Sequence, residues 1–267
     1  MTSARPPDPA VLPAVRLPAG RYVAVVLDLD GVLTDTAALH VAAWTRLFDS
    51  YLHRRGGVAG EDHRRFTEAD YRRYVDGKPR YDGVHDLLAA RGISLPYGDP
   101  ADPPDRETVC GLGNRKAEDV RARLAAGGLR AFPDALGFVR AARAAGLRLG
   151  VVSASRNAAA VLSAVRLRDR FDILVDGELA QELGLAGKPD PATLLEAARR
   201  LGATPAGTVV VEDAVAGVEA GRRGGFGLVV GVARTGSPEE LRAAGADAVV
   251  GDLGRLVPEP PLVRTAR

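Results

Sequence analysis

Asp28 and Asp30 stand two residues apart, with Gly31 behind them, at the end of the short apolar run Tyr22–Leu27. In an extended chain, residues i and i+2 face the same side. The two carboxylates therefore lie together and repel each other unless a cation or a proton compensates. Glu212 and Asp213 close a second apolar run, Thr208–Val211. Four acidic groups meeting at one edge require a hard divalent cation with oxygen ligands, and Mg2+ suits this best beside a phosphate. Asp28, Asp30, Glu212 and Asp213 are thus the candidate metal ligands. Taken singly, each reads equally well as a turn or capping residue, Asp213 above all because a helical stretch follows it. The pairing of the two clusters is what points to a cation.

Two further groups fit the same chemistry. Lys188 stands between Gly187 and Pro189, where proline restricts the local chain. A lysine so held balances carboxylates and binds a phosphoryl oxygen, although alone it reads as a loop residue. Ser153-Ala154-Ser155-Arg156-Asn157 follows another apolar run and opens a helical stretch. Hydroxyls, an amide and the backbone N–H groups of a helix start form an anion site, and Arg156 adds a guanidinium fork. Ordinary capping by Ser153 or Ser155 is the competing reading.

The elements that must position these groups follow from the apolar pattern. Strands are predicted at 22–27, 147–152, 171–175, 208–211, 227–230 and 248–250. Their short, nearly continuous apolar runs suit a parallel sheet buried on both sides. Between the later strands lie segments with helical spacing, at 134–145, 156–166, 190–201 and 214–223. The fold class expected is α/β, a Rossmann-like parallel sheet core with helices on both faces. Ligands of such sheets bind at the carboxyl ends of the strands, where Asp28, Asp30, Ser153, Glu212 and Asp213 fall. Residues 37–131 break the alternation. Helices are predicted there at 37–54, 68–75, 81–91 and 115–125, with a loop from Leu95 to Asp105 and no strand. The organisation expected is an extended arm over 1–20, a core of 21–36 and 132–267, and a helical cap domain inserted over 37–131.

Composition excludes several classes. Lys+Arg total 36 against 34 for Asp+Glu, a net charge of +2, and no block of like charge suggests a nucleic-acid partner. The single cysteine, Cys110, has no intrachain disulfide partner and fits a reducing cytoplasm. The N-terminus lacks the pattern of a secretory signal, and no apolar run approaches a membrane span of about 18 residues. The expectation is a cytoplasmic protein without a membrane or nucleic-acid partner.

The order Asp28-Leu29-Asp30-Gly31-Val32-Leu33-Thr34-Asp35-Thr36, then Ser153, then Gly187-Lys188-Pro189, then Glu212-Asp213 resembles the haloacid dehalogenase superfamily across about residues 21–252. The segment 37–131 corresponds to the superfamily's inserted cap. Asp30 marks the members that transfer phosphoryl groups. Within the superfamily the chain looks most like the β-phosphoglucomutases. That likeness places Thr36, His40 and Trp44 beyond the first motif, a Gly77-Lys78-Pro79-Arg80 loop and the Arg115-Lys116 pair on the cap, and Ser153–Asn157 on the core. The family's lysine within that last stretch is Arg156 here. This cap is also longer, at Leu95–Asp105 and around Leu52–Glu68.

The resemblance implies a mechanism. Asp28 is the nucleophile that forms an aspartyl phosphate, and Asp30 is the acid and base for the leaving and accepting oxygens. Mg2+ is the cofactor, and Ser153 and Lys188 complete the catalytic set. Thr36, His40, Trp44, Gly77, Arg80, Lys116, Ser155, Arg156 and Asn157 are the substrate-binding residues. The substrate expected is a small sugar phosphate and the protein a monomer. A mutase is expected to interconvert β-D-glucose 1-phosphate and glucose 6-phosphate through a hexose 1,6-bisphosphate. The same core with water as acceptor gives a sugar-phosphate phosphatase. A catalytically silent sugar-phosphate binder is the reading from a different class. The cap is expected to swing on linkers near Thr36 and Phe132, excluding water by closure.

Overall fold

The computed structural model describes residue 12, residues 14–234 and residues 236–260 of the 267. Most of the expected N-terminal arm, residues 1–11 and 13, lies outside the described residues. Within the remainder of that arm, Val15–Leu17 (β1) is a strand that pairs in parallel with Leu256–Pro258 (β8), a contact the sequence reading does not contain.

The chain divides into two compact units, Met1–Asp35 with Arg130–Arg267, and Thr36–Leu129. The first unit is built on a parallel sheet. Its strands are β2 (Ala24–Asp28), β3 (Arg148–Val152), β4 (Ile173–Val175), β5 (Thr208–Glu212), β6 (Leu228–Val232) and β7 (Ala248–Val250), in spatial order β4-β3-β2-β5-β6-β7. Every residue of β2 is buried, as a central strand with ladders on both sides requires. Asp28 stands opposite Val152 on one side of β2, and Leu27 opposite Val211 on the other. From β2 the order runs outward through β3 to β4, then returns to β5 beside β2. This reversal is the topological switch point at which open α/β sheets bind ligands. Helices α5 (Pro133–Ala144), α8 (Ala192–Arg200), α9 (Val215–Arg223) and α10 (Pro238–Ala243) pack along the sheet. Leu194, Ala197, Val210, Val218 and Val229 sit in its buried core.

The second unit contains α1 (Ala37–Arg55), α2 (Glu68–Asp70) running into a π-helical turn at Tyr71–Val75, α3 (Arg80–Ala90) and α4 (Val109–Ala125). It has no strand among the described residues. Phe48, fully buried, stacks on Trp44 at 5.3 Å and meets Phe66 at 5.0 Å, with Leu87, Leu88 and Leu112 around them.

Several elements depart from expectation for local reasons. Helix α4 begins at Val109 rather than 115, because the Thr108 hydroxyl accepts from Gly111 N–H and caps it; Gly111 and Gly113 had masked its first turn in the pattern. Helix α6 (Ala158–Ala164) is shorter than the 156–166 expected, since Ser155 and Asn157 spend their N–H groups on turns before it. Two helices were not foreseen, α7 (Gly177–Glu182) and α10, although Asp176 and Ser237 cap them with their side chains.

The loop after α1 is fastened by charge. Arg55 grips Glu61 through two bonds of 2.7 Å, and buried Arg91 reaches Asp62 at 2.8 Å and Asp70 at 2.9 Å. The Arg55 bonds, with His63, bring the Glu61 carboxyl down to about 2, and Arg64 with Arg91 holds Asp62 well below its usual range. A depressed carboxyl contributes stability that is complete above its unfolded value, 4.5 for Glu61, and is lost as pH falls toward 2. Trp44 is the only tryptophan and reports this unit alone. Its emission is expected to hold above pH 4.5 and to shift to the red as pH falls from there toward 2. Unchanged emission down to pH 2 would refute this role for the ion pairs.

Candidate active site

Lys188 is the hub of the first unit's polar cluster. Its ammonium, almost wholly buried, donates to Asp28 Oδ1 at 2.5 Å and lies 2.5 Å from Glu212 Oε1. Asp28 ends β2 and Glu212 ends β5, so adjacent strands deliver both carboxylates to one lysine. The Lys188 loop is fixed from α9, where Arg223 donates to the Pro189 carbonyl at 3.2 Å; the Lys188–Pro189 peptide is cis. Burial disfavours the ammonium, but the charges of Asp28 and Glu212 outweigh it and raise the lysine's pKa well above its ordinary value. Burial pushes the Asp28 carboxyl up, with Lys188 opposing and Asp30 adding to the rise. The Asp30 backbone N–H donates to Asp28, tying the two aspartates of the turn together.

Asp28, Glu212 and Asp213 each offer a carboxylate oxygen, and these atoms all lie within 4.8 Å of one another. Asp30 adds a fourth negative charge near enough to raise the Asp28 carboxyl, while Lys188 pairs with Asp28 and Glu212. Oxygen donors in that number, with an excess of negative charge, fit a hard divalent cation of the Mg2+ type.

Two glycines make room for the carboxylates. A Cβ on Gly31, where φ is +81°, would lie 1.8 Å from Asp213 Oδ2. A Cβ on Gly217, inside α9, would lie 2.1 Å from Glu212 Cδ. The signal for Gly217 in the sequence was a glycine inside a helical pattern, which marks close packing.

Ser153 extends β3 by donating its N–H to Val175 O at 3.0 Å, and its hydroxyl accepts from Ser155 N–H at 3.1 Å. The Ser155 hydroxyl accepts from Asn157 N–H at 3.2 Å. The stretch is thus a pair of hydroxyl-closed turns ahead of α6, with Ser155, Arg156 and Asn157 half-buried. Arg156 lies 3.9 Å from Glu178.

Arg234, on the loop after β6, was not singled out from the sequence, where nothing distinguishes it. It donates to the carbonyls of Gly31 at 3.0 Å and Val32 at 3.2 Å, pairs with Asp134 at 2.6 Å, and lies 3.8 Å over the Phe132 ring. It fastens the turn that carries Asp30.

The remaining predicted residues lie in the second unit. Thr36 is buried at the start of α1. Lys116, buried on α4, donates to His40 Nδ1 at 2.8 Å and lies 4.8 Å over the Trp44 ring. An ammonium only donates, so Nδ1 accepts and the ring proton sits on Nε2. Burial and then the Lys116 charge hold the His40 pKa well below its usual value, which keeps the ring neutral. Trp44 belongs to this unit's apolar core. Gly77 has φ +69° in the turn before α3. Arg80 opens α3 and donates to Asn114 Oδ1 at 3.0 Å and to the Tyr81 hydroxyl at 2.9 Å.

A family model described as haloacid dehalogenase-like hydrolase matches residues 22–225. The chain belongs to this family. Within it the chain is of the β-phosphoglucomutase-like kind. It is 48% identical over 239 residues to a protein of Mycobacterium bovis named β-phosphoglucomutase, covering 88% of this chain and 91% of that one. It is 31% identical over 231 residues to a Thermotoga maritima protein named phosphorylated carbohydrates phosphatase, covering 85% and 93%. The crystal structure of a Clostridium difficile β-phosphoglucomutase superposes with a TM-score of 0.68 at 24% identity, covering 88% of this chain and 92% of that one. That likeness concerns the fold of these haloacid dehalogenase-like enzymes.

Replacing Gly217 with Ala is expected to push Glu212 away from Lys188 and to lower steady-state phosphate-ester turnover by about 10²-fold, the scale on which small misplacements act. Turnover within twofold of the parent would show that the Glu212 position is not constrained by α9.

Proposed function

We propose that the protein is a magnesium-dependent phosphomutase that interconverts β-D-glucose 1-phosphate and glucose 6-phosphate through an aspartyl phosphate and a hexose 1,6-bisphosphate. The observation that carries this reading is the Asp28–Lys188–Glu212 ion cluster with Asp213 beside it. The 48% identity to a protein named β-phosphoglucomutase supports it.

Asp28 Oδ attacks phosphorus, forming an O–P bond as the bond from phosphorus to the sugar oxygen breaks. Asp30 gives its proton to that departing oxygen. When the second sugar hydroxyl attacks the aspartyl phosphate, the Asp30 carboxylate takes the proton back, and Asp28 leaves as a carboxylate. Lys188 and Ser153 bind the oxygens of the transferring group, and the lysine holds Asp28 in line. Asp28, Glu212 and Asp213, with the Asp30 carbonyl, would hold Mg2+, which supplies neutralisation of the phosphoryl charge.

The far phosphate needs its own grip if a bisphosphate is to bind in either orientation. Arg80, with Gly77 in the turn before it, takes that role on the second unit. Ser155, Arg156 and Asn157 take it on the first. His40 and Lys116 contact the sugar phosphate near the start of α1 with Thr36 beside them, and Trp44, buried in that unit's apolar core, supports Lys116 with its ring face.

A phosphatase with the same core is the second reading, favoured by the 31% identity to a protein named phosphorylated carbohydrates phosphatase. The two readings separate by 31P NMR on β-glucose 1-phosphate with a trace of the 1,6-bisphosphate. Glucose 6-phosphate is expected as the product; inorganic phosphate alone would overturn the mutase assignment. Asp28→Asn is expected to abolish turnover and label transfer to the protein, and full retained activity would remove Asp28 as nucleophile.

A further inference from the structure

Arg80 does not find its position unaided. Asn114, on α4, holds it through a carboxamide that makes four hydrogen bonds. Its Nδ2 donates to the carbonyls of Pro100 at 3.0 Å and Asp102 at 2.8 Å. Carbonyls only accept, so the amide orientation is fixed and Oδ1 must face the other way. There Oδ1 accepts from Arg80 Nη2 at 3.0 Å and from the Tyr81 hydroxyl at 2.9 Å. The same hydroxyl accepts from Arg80 Nη2 at 2.9 Å, and the guanidinium carbon lies 4.7 Å over the Tyr81 ring. A Cβ on Gly113 would lie 2.7 Å from that ring, so glycine is what lets Arg80 and Tyr81 lie against α4.

The carbonyls that orient Asn114 come from the Leu95–Asp105 loop, one of the two places where this cap is extended. That loop is itself pinned. Asp102 accepts from the Thr108 hydroxyl at 2.7 Å and from Asp99 N–H at 3.0 Å. Val109 and Cys110 donate their N–H groups to Pro96 O and Tyr97 O. A chain of contacts thus runs from the loop through Asn114 to one edge of the guanidinium. At the other edge, Nη1 takes no partner among the described residues and is not among the buried atoms without one, while Nε is buried without one. The fork is held from behind with Nη1 uncommitted.

We infer that Asn114 is a positioning residue that presets Arg80 as a phosphate fork, with the Leu95–Asp105 loop as its strut. This rests on the reading of Arg80 as the grip for the far phosphate of a sugar phosphate. The loop is then part of substrate recognition rather than a surface insertion, and the Gly113-Asn114 pair is where it acts.

A double-mutant cycle tests the inference, with kcat and KM measured on β-glucose 1-phosphate for Arg80→Ala, Asn114→Ala and the pair. Loss of a hydrogen bond to a charged group corresponds to about tenfold. Asn114→Ala is expected to raise KM by about that factor, more than it lowers kcat. In the Arg80→Ala background the same change is expected to have less than about a twofold effect, because residues acting through one another are not additive. A purely structural role would give losses that multiply, and that result overturns the inference. So does an unchanged KM in Asn114→Ala. Tyr81→Phe keeps the ring and removes only the hydroxyl link; it serves if Asn114→Ala does not fold, with the same expected coupling to Arg80→Ala and the same overturning outcome. If Arg80→Ala itself leaves KM unchanged, the far-phosphate reading fails and the inference with it. If Arg80→Ala raises KM while Asn114→Ala does not, only the inference falls.

Discussion

A buried ammonium between two buried carboxylates is the interaction on which the first unit's polar cluster depends. Taking Lys188, Asp28 and Glu212 out of water is costly, and only their close mutual geometry offsets it. That geometry has three sources. The sheet order places β2 beside β5, so the two acids end neighbouring strands. Helix α9 presents Gly217 to Glu212, and Arg223 on the same helix holds the lysine loop by Pro189 O. Loss of Lys188 leaves two carboxylates inside without a cation, so the arrangement is far more tightly constrained than a surface ion pair of the same length.

The second unit uses the opposite strategy. Two of its cations, Lys116 and Arg80, rest on neutral groups. Lys116 rests on a neutral imidazole and a tryptophan face, and Arg80 on a carboxamide and a phenol. Neutral partners fix a cation's position without spending its charge. Arg80 so held keeps its attraction for a phosphate, whereas a cation paired with a carboxylate has already given most of it away. The ion-paired arginines of this unit, Arg55 and Arg91, fasten loops instead.

The core strands were legible because each is a short apolar run ending in a polar group, and the sheet buries such runs on both sides. The acidic residues were legible because they close two apolar runs, and Lys188 because it stands between a glycine and a proline. What the pattern concealed were effects of single contacts. The first turn of α4 carries glycines where the pattern asks for helix formers, and those glycines exist for Arg106 O and the Tyr81 ring. β1 and β8 are three residues each and pair only with one another, too short for periodicity to register. Arg234 and Asn114 are ordinary residue types whose importance lies in which carbonyls and side chains they meet, and nothing in a one-dimensional string marks that.

The chain leaves the core and returns to it at nearly the same point. Leu33 O accepts from Phe132 N–H, Asp35 N–H donates to Arg130 O, and Thr34 bridges Ala131. Strands β2 and β3 are neighbours in the sheet although the whole of Thr36–Leu129 separates them in sequence. Closing a disordered loop of that length carries an entropic penalty that grows with the logarithm of its size. If the helical unit collapses first on its own local contacts, its two ends are already brought together, and β2 meets β3 as if across a tight connection. On that route the insertion shortens the search for the central strand pairing rather than lengthening it.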